Sequence, residues 1–198
     1  MKKKIKFADY KTGRTPWTQK RVDTDEQLTM YQYIVYCKYG VLAEDIKLEW
    51  IPTEYDEEGN LRLTGEIHTF TTKRTMRDIL MFYPKIVAAW EGIGELAEKL
   101  DKKRARAYLS WSQMNLFEQS PEKYREAYFE NGERFTNQAM EFGKEIAEVL
   151  EGKLEPRNKV EEYVKTFLSQ YKRREYEIKV KSPCCPLLAR LDGFEIIK

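Results

Sequence analysis

Asp9-Tyr10-Lys11 sets a carboxylate and an amine two residues apart, where a predicted strand, Ile5 to Tyr10, runs into the turn Lys11-Thr12-Gly13. In an extended strand, residues two apart leave the same face, so both groups project together. A metal-dependent hydrolase can use such a pair: the carboxylate ligates Mg²⁺, and the lysine orients or deprotonates a water beside it. The same tripeptide also occurs in ordinary surface strands. Asp192 is the next candidate, an acid interrupting the apolar run Leu188 to Phe194. Acids are depleted in strand interiors, so Asp192 is either an edge residue facing solvent or an acid placed for chemistry. Gln27 and Tyr31 stand at i, i+4 and share a helix face. Taken alone they read as a half-buried tyrosine beside a surface glutamine.

The elements that must position these residues follow from pattern and punctuation. From Asp23 the spacing of Leu28, Tyr31, Ile34 and Val35 predicts a helix, capped by Asp23 or Thr24 and stopped at Gly40. Ile46 to Ile51 and Leu61 to Phe70 read as two strands of a hairpin joined by the acidic stretch Glu54 to Asn60. Thr75 opens a long helix, with Asp78 at capping-box spacing and Pro84 expected to kink or divide it. Asp101 to Arg106 reads as a solvated connection. Helices then follow over Ser112 to Gln119, Glu122 to Phe129 (introduced by Ser120-Pro121), Arg134 to Leu150 and Lys159 to Ser169. Two closing strands, Tyr171 to Lys181 and Leu187 to Ile197, flank the turn Ser182 to Pro186. Strands at both ends of the chain with helices between them indicate one α/β domain whose terminal strands share a sheet.

Composition narrows the partners. The chain has 198 residues, 41% hydrophobic and 34% charged, which suits one globular domain with a densely charged surface. A net charge of +2 means that any nucleic-acid contact must come from local clusters rather than a global field. The basic clusters Lys102 to Arg106 and Lys172 to Arg174 are expected to be mainly solvated surface. No apolar run is long enough to span a bilayer, and Met1-Lys2-Lys3-Lys4 leads into a strand rather than a signal-peptide core, so an intracellular, cytoplasmic location is expected. Cys37, Cys184 and Cys185, with the single histidine His68, lack the spacing of a structural zinc site.

Together, Asp9 to Gly13, Trp17 and the helix Gln27 to Tyr31 closely resemble the D-Y-K-T-G and Q-x-x-x-Y motifs of RecB-type nucleases of the PD-(D/E)XK superfamily. Asp192 in its strand resembles the upstream acid of that family. Ser110 to Pro121, with Phe117 and Tyr124, looks like the family's opening S-x-S…F-x-x-C-P-x-x-Y. The order is permuted, because in the family the opening helices and the first acid precede D-Y-K-T-G. Read as a circle, Leu188 to Lys198 runs on into Lys2 to Lys11 and restores the hairpin, so Met1 and Lys198 are expected to lie close together on antiparallel neighbouring strands. Residues 1–100 then resemble the family's C-terminal half and 101–198 its N-terminal half.

The resemblance implies a central mixed β-sheet flanked by helices, a restriction-endonuclease-like core in circularly permuted order. It implies Mg²⁺ or Mn²⁺ held by Asp192, Asp9 and the backbone carbonyl of Tyr10, with Lys11 positioning the attacking water and Gln27 and Tyr31 orienting Lys11 or the DNA strand. The substrate would be DNA, cut by an exonuclease or end-processing enzyme of recombination, with a recombination protein as a further partner. Two departures bear on this. Gly143 to Ala147 puts alanine where the family's G-x-x-x-H helix has histidine; Glu148 is the candidate replacement, although it points about 100° away from Ala147 on a helix. Ser120 stands where some relatives carry a cluster-binding cysteine, so no iron–sulfur cluster is expected. A catalytically silent DNA-binding or structural module that kept the fold is the alternative. A helical interaction protein would explain the amphipathic segments but not the placement of acids and lysine.

Overall fold

The computed structural model describes residues 4–130, 137–169 and 176–197. Its organising strand is β1, Lys4–Gly13, in which Ile5, Phe7 and Asp9 are buried on one face. Strand β2, Asp45–Tyr55, runs parallel to β1, pairing Asp9 with Leu48 and Lys11 with Trp50. Parallel neighbours need a crossover. After the short helix α1, Gln19–Asp23, it is supplied by helix α2, Glu26–Tyr39. The predicted cap of α2 shifts: Asp25 accepts the Leu28 amide at 2.9 Å. Asp23 ends α1, and its carboxylate accepts the hydroxyl of Thr72 at 2.8 Å. Gly40 ends α2 as expected, at φ 70°.

The predicted strand Leu61 to Phe70 is two strands, β3 (Leu61–Leu63) and β4 (His68–Thr72), both antiparallel to β2. The break lies at Gly65, whose φ of 89° takes the chain out of the ladder between two registers. Helix α3, Met76–Lys99, opens on the expected Thr75/Asp78 capping box. Pro84 lies inside it without dividing it. Pro84 and Leu80 both face solvent, so water can take the Leu80 carbonyl that a proline nitrogen leaves unpaired.

The second half builds strand β5 (Leu109–Ser110), helices α4 (Trp111–Gln119) and α5 (Pro121–Arg125), a π-helical turn (Glu126–Glu130), and helices α6 (Gln138–Leu150) and α7 (Lys159–Leu168). It closes with strands β6 (Tyr176–Lys181), β7 (Pro186–Leu191) and β8 (Gly193–Ile197). Asn137 caps α6; residues 134–136 of the predicted Arg134–Leu150 helix, and 171–175 of the predicted Tyr171–Lys181 strand, lie outside the described residues. The predicted strand Leu187 to Ile197 divides at Asp192. On one side β7 joins β5 and β6 in a three-stranded sheet; on the other β8 joins β1 in the sheet β3-β2-β1-β8, which also carries β4 on β2. Strands β1 and β8 pair antiparallel from Lys4↔Ile197 to Ala8↔Gly193, as expected of the terminal strands. Met1 and Lys198 themselves lie outside the described residues.

The result is a mixed α/β fold with a mixed sheet flanked by helices. One face of the sheet, through Ile5, Phe7, Leu48 and Trp50, packs against α2 and α3. Ile51 and Leu63 are buried instead with Ile146 and Leu150 of α6 and Val164 and Leu168 of α7. Among the described residues no helix is long and apolar enough to cross a membrane. The basic connection is solvated at Lys103 and Arg106, but Arg104 is not: its guanidinium stacks 3.9 Å above the Trp90 ring and donates to the Trp90 carbonyl at 2.5 Å. A planar cation finds both an aromatic face and an acceptor there, which outweighs full hydration. Lys172 to Arg174 lie outside the described residues.

Phe194 is fully buried and stacks on Tyr39 with ring centroids 5.6 Å apart, fastening β8 to the end of α2. Phe194→Ala is expected to destabilise the protein by about 3–5 kcal/mol, read as a lowered urea midpoint. A loss below about 1 kcal/mol would show that β8 carries little of the core.

Candidate catalytic centre

The end of β1 delivers Asp9 and Lys11 to the face covered by α2, as the two-residue period of a strand requires. Asp9 is 3% exposed. Lys11 Nζ lies 2.8 Å from Asp9 Oδ2 and donates to Gln27 Oε1 at 2.7 Å. The Gln27 amide nitrogen donates to the Tyr31 hydroxyl at 2.7 Å and, more weakly, to Asp9 Oδ1 at 3.4 Å. One glutamine thus ties the lysine, the acid and the tyrosine together. Burial alone would lower the proton affinity of Lys11, but Asp9, and with it Asp192, reverses the balance and holds the ammonium above its usual range. Lys11 is therefore a cation throughout the neutral range, suited to orienting a water or a phosphate oxygen rather than to removing a proton. Burial, followed by the charge of Asp9, raises the proton affinity of Tyr31, so its hydroxyl stays neutral.

Asp192 reaches the same strand from the other edge. Pairing between β1 and β8 stops at Ala8↔Gly193, which leaves the Tyr10 amide beyond the ladder. Asp192, in the bend between β7 and β8, takes that amide at 2.7 Å through Oδ2. A strand residue sends its N–H and C=O to the same edge, so the Tyr10 carbonyl faces the Asp192 side as well. Burial first, and the charge of Asp9 second, push the Asp192 carboxyl up to about 7. Two acids brought together in a poorly hydrated site hold a proton where a cation could replace it.

Helix α6 covers the opposite face of β1. A Cβ added at Gly143 would stand 3.0 Å from the Thr12 hydroxyl, so the absence of a side chain allows α6 to approach β1 closely. A small cavity of about 90 Å³ lies between them, lined by Tyr10, Gly143, Ala147, Leu150, Glu151 and Asp192, among others. Glu148 is not at this cavity: it turns outward to Lys144, 3.9 Å away, as the 100° step from Ala147 dictates. The acid on the inner face is Glu151, one turn beyond Ala147, whose charge adds to the rise at Asp192 and which also pairs with Lys153. Sequence reasoning missed it, although the i, i+4 step from Ala147 to Glu151 was a usable signal.

No family model, curated protein or solved structure matches this chain.

The structure thus joins Asp9, Lys11, Gln27 and Tyr31 in one bonded group, sets Asp192 within electrostatic reach on the edge of β1, and leaves Glu148 outside. Among the described residues, no group of three His, Cys, Asp or Glu side chains is arranged to hold an ion. A divalent cation here would have two carboxylates and a main-chain oxygen, with water for the rest. Mg²⁺ accepts such a set, since it usually binds one or two carboxylates and keeps several waters.

Proposed function

We propose that the protein is a metal-dependent deoxyribonuclease of the RecB-type PD-(D/E)XK kind, processing DNA ends, with a restriction-endonuclease-like core in circularly permuted order. The observation that carries this reading is the junction at Asp192, which delivers a second carboxylate to the Tyr10 amide, between Asp9 and Lys11. Supporting the core assignment, the Asp9 strand has an antiparallel neighbour that follows Asp192 on one edge and, on the other, a parallel neighbour reached through α2. The pairing of Lys4 with Ile197 supports the permuted order.

In this mechanism Asp192, Asp9 and the Tyr10 carbonyl would hold Mg²⁺ or Mn²⁺. Bound there, the ion supplies Lewis acidity toward phosphate and water. Lys11, anchored by Gln27, aligns the attacking water and offsets negative charge as it builds on the phosphate. Tyr31 fixes Gln27, and so fixes Lys11.

The test is cleavage of end-labelled single-stranded and duplex DNA in Mg²⁺, Mn²⁺ or EDTA, beside an identically purified Asp9→Asn, Asp192→Asn double variant. Cleavage that needs the metal and vanishes in the double variant is expected; equal cleavage by both proteins overturns the assignment. Ala147, where the family has histidine, favours a second reading as a silent module that kept the fold, and absence of cleavage beside intact metal binding would select it.

Metal affinity should also carry the signature of Asp192. With its carboxyl at about 7, Asp192 would have to give up a proton to ligate a metal below that pH. The apparent Mn²⁺ affinity is expected to rise about tenfold per pH unit up to neutrality and then level off, as read by calorimetry. A flat profile from pH 5.5 to 8.5 would place the ion elsewhere.

A further inference from the structure

Beside the candidate centre, on the face that α2 shares with α4 and β7, lies a cleft of about 360 Å³ that the chemistry above does not use. Gln27 and Tyr31 form one of its walls, so it is continuous with the group that holds Lys11. Arg106, Arg190, Tyr108 and Trp111 line it too, and no carboxylate does among the described residues. Arg106 is exposed and has no ion pair among the described residues. Arg190 lies 3.3 Å from Glu177, but Glu177 holds Lys179 more closely, at 2.7 Å, so the cationic side prevails. Exposed pairs of this kind contribute little, so Arg190 is not locked to Glu177. Trp111 is half-buried and packs against the core. The indole thus stands as a fixed wall of the cleft, flanked by the hydroxyls of Ser110 and Ser112.

The geometry points to a binding track for single-stranded nucleic acid in this cleft, with a base stacked on Trp111 or Tyr108 and the phosphates on either side held by Arg106 and Arg190. The inference rests on the nuclease reading for its direction, since the track ends at Gln27 and Lys11. Single strands fit better than duplex because an aromatic side chain can stack only on a base that has left its own stack. Two arginines and a neutral polar lining match a phosphodiester backbone and leave base identity unread.

The test is fluorescence anisotropy of dye-labelled oligo(dT), oligo(U) and a blunt duplex of equal length, in EDTA, with the wild-type protein, Trp111→Leu and Arg106→Ala, Arg190→Ala. Leucine keeps the apolar packing of Trp111 while removing the stacking face. Wild-type protein is expected to bind a single strand at least several-fold more tightly than duplex, and the two homopolymers decide between DNA and RNA. Trp111→Leu should weaken that binding about tenfold. The double arginine variant should flatten the salt dependence, with the slope of log affinity against log salt falling by about 1.4. Arg106→Glu, at an exposed position, serves as the charge test if Trp111→Leu does not fold, which circular dichroism reports. Duplex bound as tightly as single strand, no binding to any strand, or variants with wild-type affinity each overturn the proposal. Failure here is separable from failure of the nuclease reading. Strand binding that depends on these residues without metal-dependent cleavage leaves the track and removes the nuclease; cleavage with unaltered binding in the variants does the reverse.

Discussion

Asp192→Asn is expected to reduce metal-dependent cleavage on the order of a thousandfold, and at the same time to make the metal-free protein more stable above pH 7. The two effects have one cause. In the folded chain, burial and the charge of Asp9 push the Asp192 carboxyl up to about 7, whereas in the unfolded chain it ionises near the ordinary carboxylate value of about 3.9. Below about pH 4 both states hold the proton and the site costs nothing. As the pH rises toward 7 the unfolded chain ionises first, so stability falls by about 1.4 kcal/mol per unit at most. Above 7 both states are ionised and the deficit is constant. Asparagine still accepts the Tyr10 amide through its carbonyl oxygen but never ionises, so its advantage should be small at pH 4.5 and full at pH 8. Urea denaturation in EDTA at the two pH values measures this. An equal change at both values would show that burial and Asp9 do not raise the Asp192 carboxyl in the folded chain as described. Added Mn²⁺ should reverse the order, stabilising the wild type and leaving the variant unchanged.

Lys11→Ala is expected to lower the turnover rate on the order of a hundredfold while leaving Mn²⁺ affinity unchanged or tighter. Lys11 lies 2.8 Å from Asp9, so in the metal-free protein it already neutralises one of the two carboxylates. Removing it frees that carboxylate for the metal and leaves a 3%-exposed charge unpaired until the metal arrives. The variant should therefore be less stable than wild type in EDTA and should regain more stability on adding Mn²⁺. Single-turnover cleavage at saturating metal, with metal affinity measured separately by calorimetry, distinguishes the two effects. A variant whose rate is restored simply by raising Mn²⁺ would make Lys11 a determinant of metal binding and not of the chemical step. Gln27→Ala should show the same pattern more weakly, because it removes the anchor of Lys11 and not the charge.

What depends on local period and local caps was legible in the residues alone. Asp9 and Lys11 share a face because strands repeat every two residues, Gln27 and Tyr31 because helices bring i and i+4 together, and Thr75 with Asp78 capped α3 as their spacing required. The pairing of the terminal strands was legible too, through the motif order read as a circle. Errors arose where a distant partner decides the outcome. Leu187 to Ile197 has the pattern of one strand, yet it breaks at Asp192 because its two halves pair in different sheets. Leu61 to Phe70 breaks at Gly65 because β2 engages its two halves in different registers. Glu151 rather than Glu148 lines the cavity beside Asp192 because it follows Gly143 and Ala147 by i, i+4 steps on the side where α6 closely approaches Thr12. Arg104 left the solvated connection for the Trp90 ring, and the cleft between α2, α4 and β7 exists only once those elements pack. Periodicity fixes which side chains share a face of one element, but the site is made where separate elements meet, and that meeting is set by register and packing across the fold.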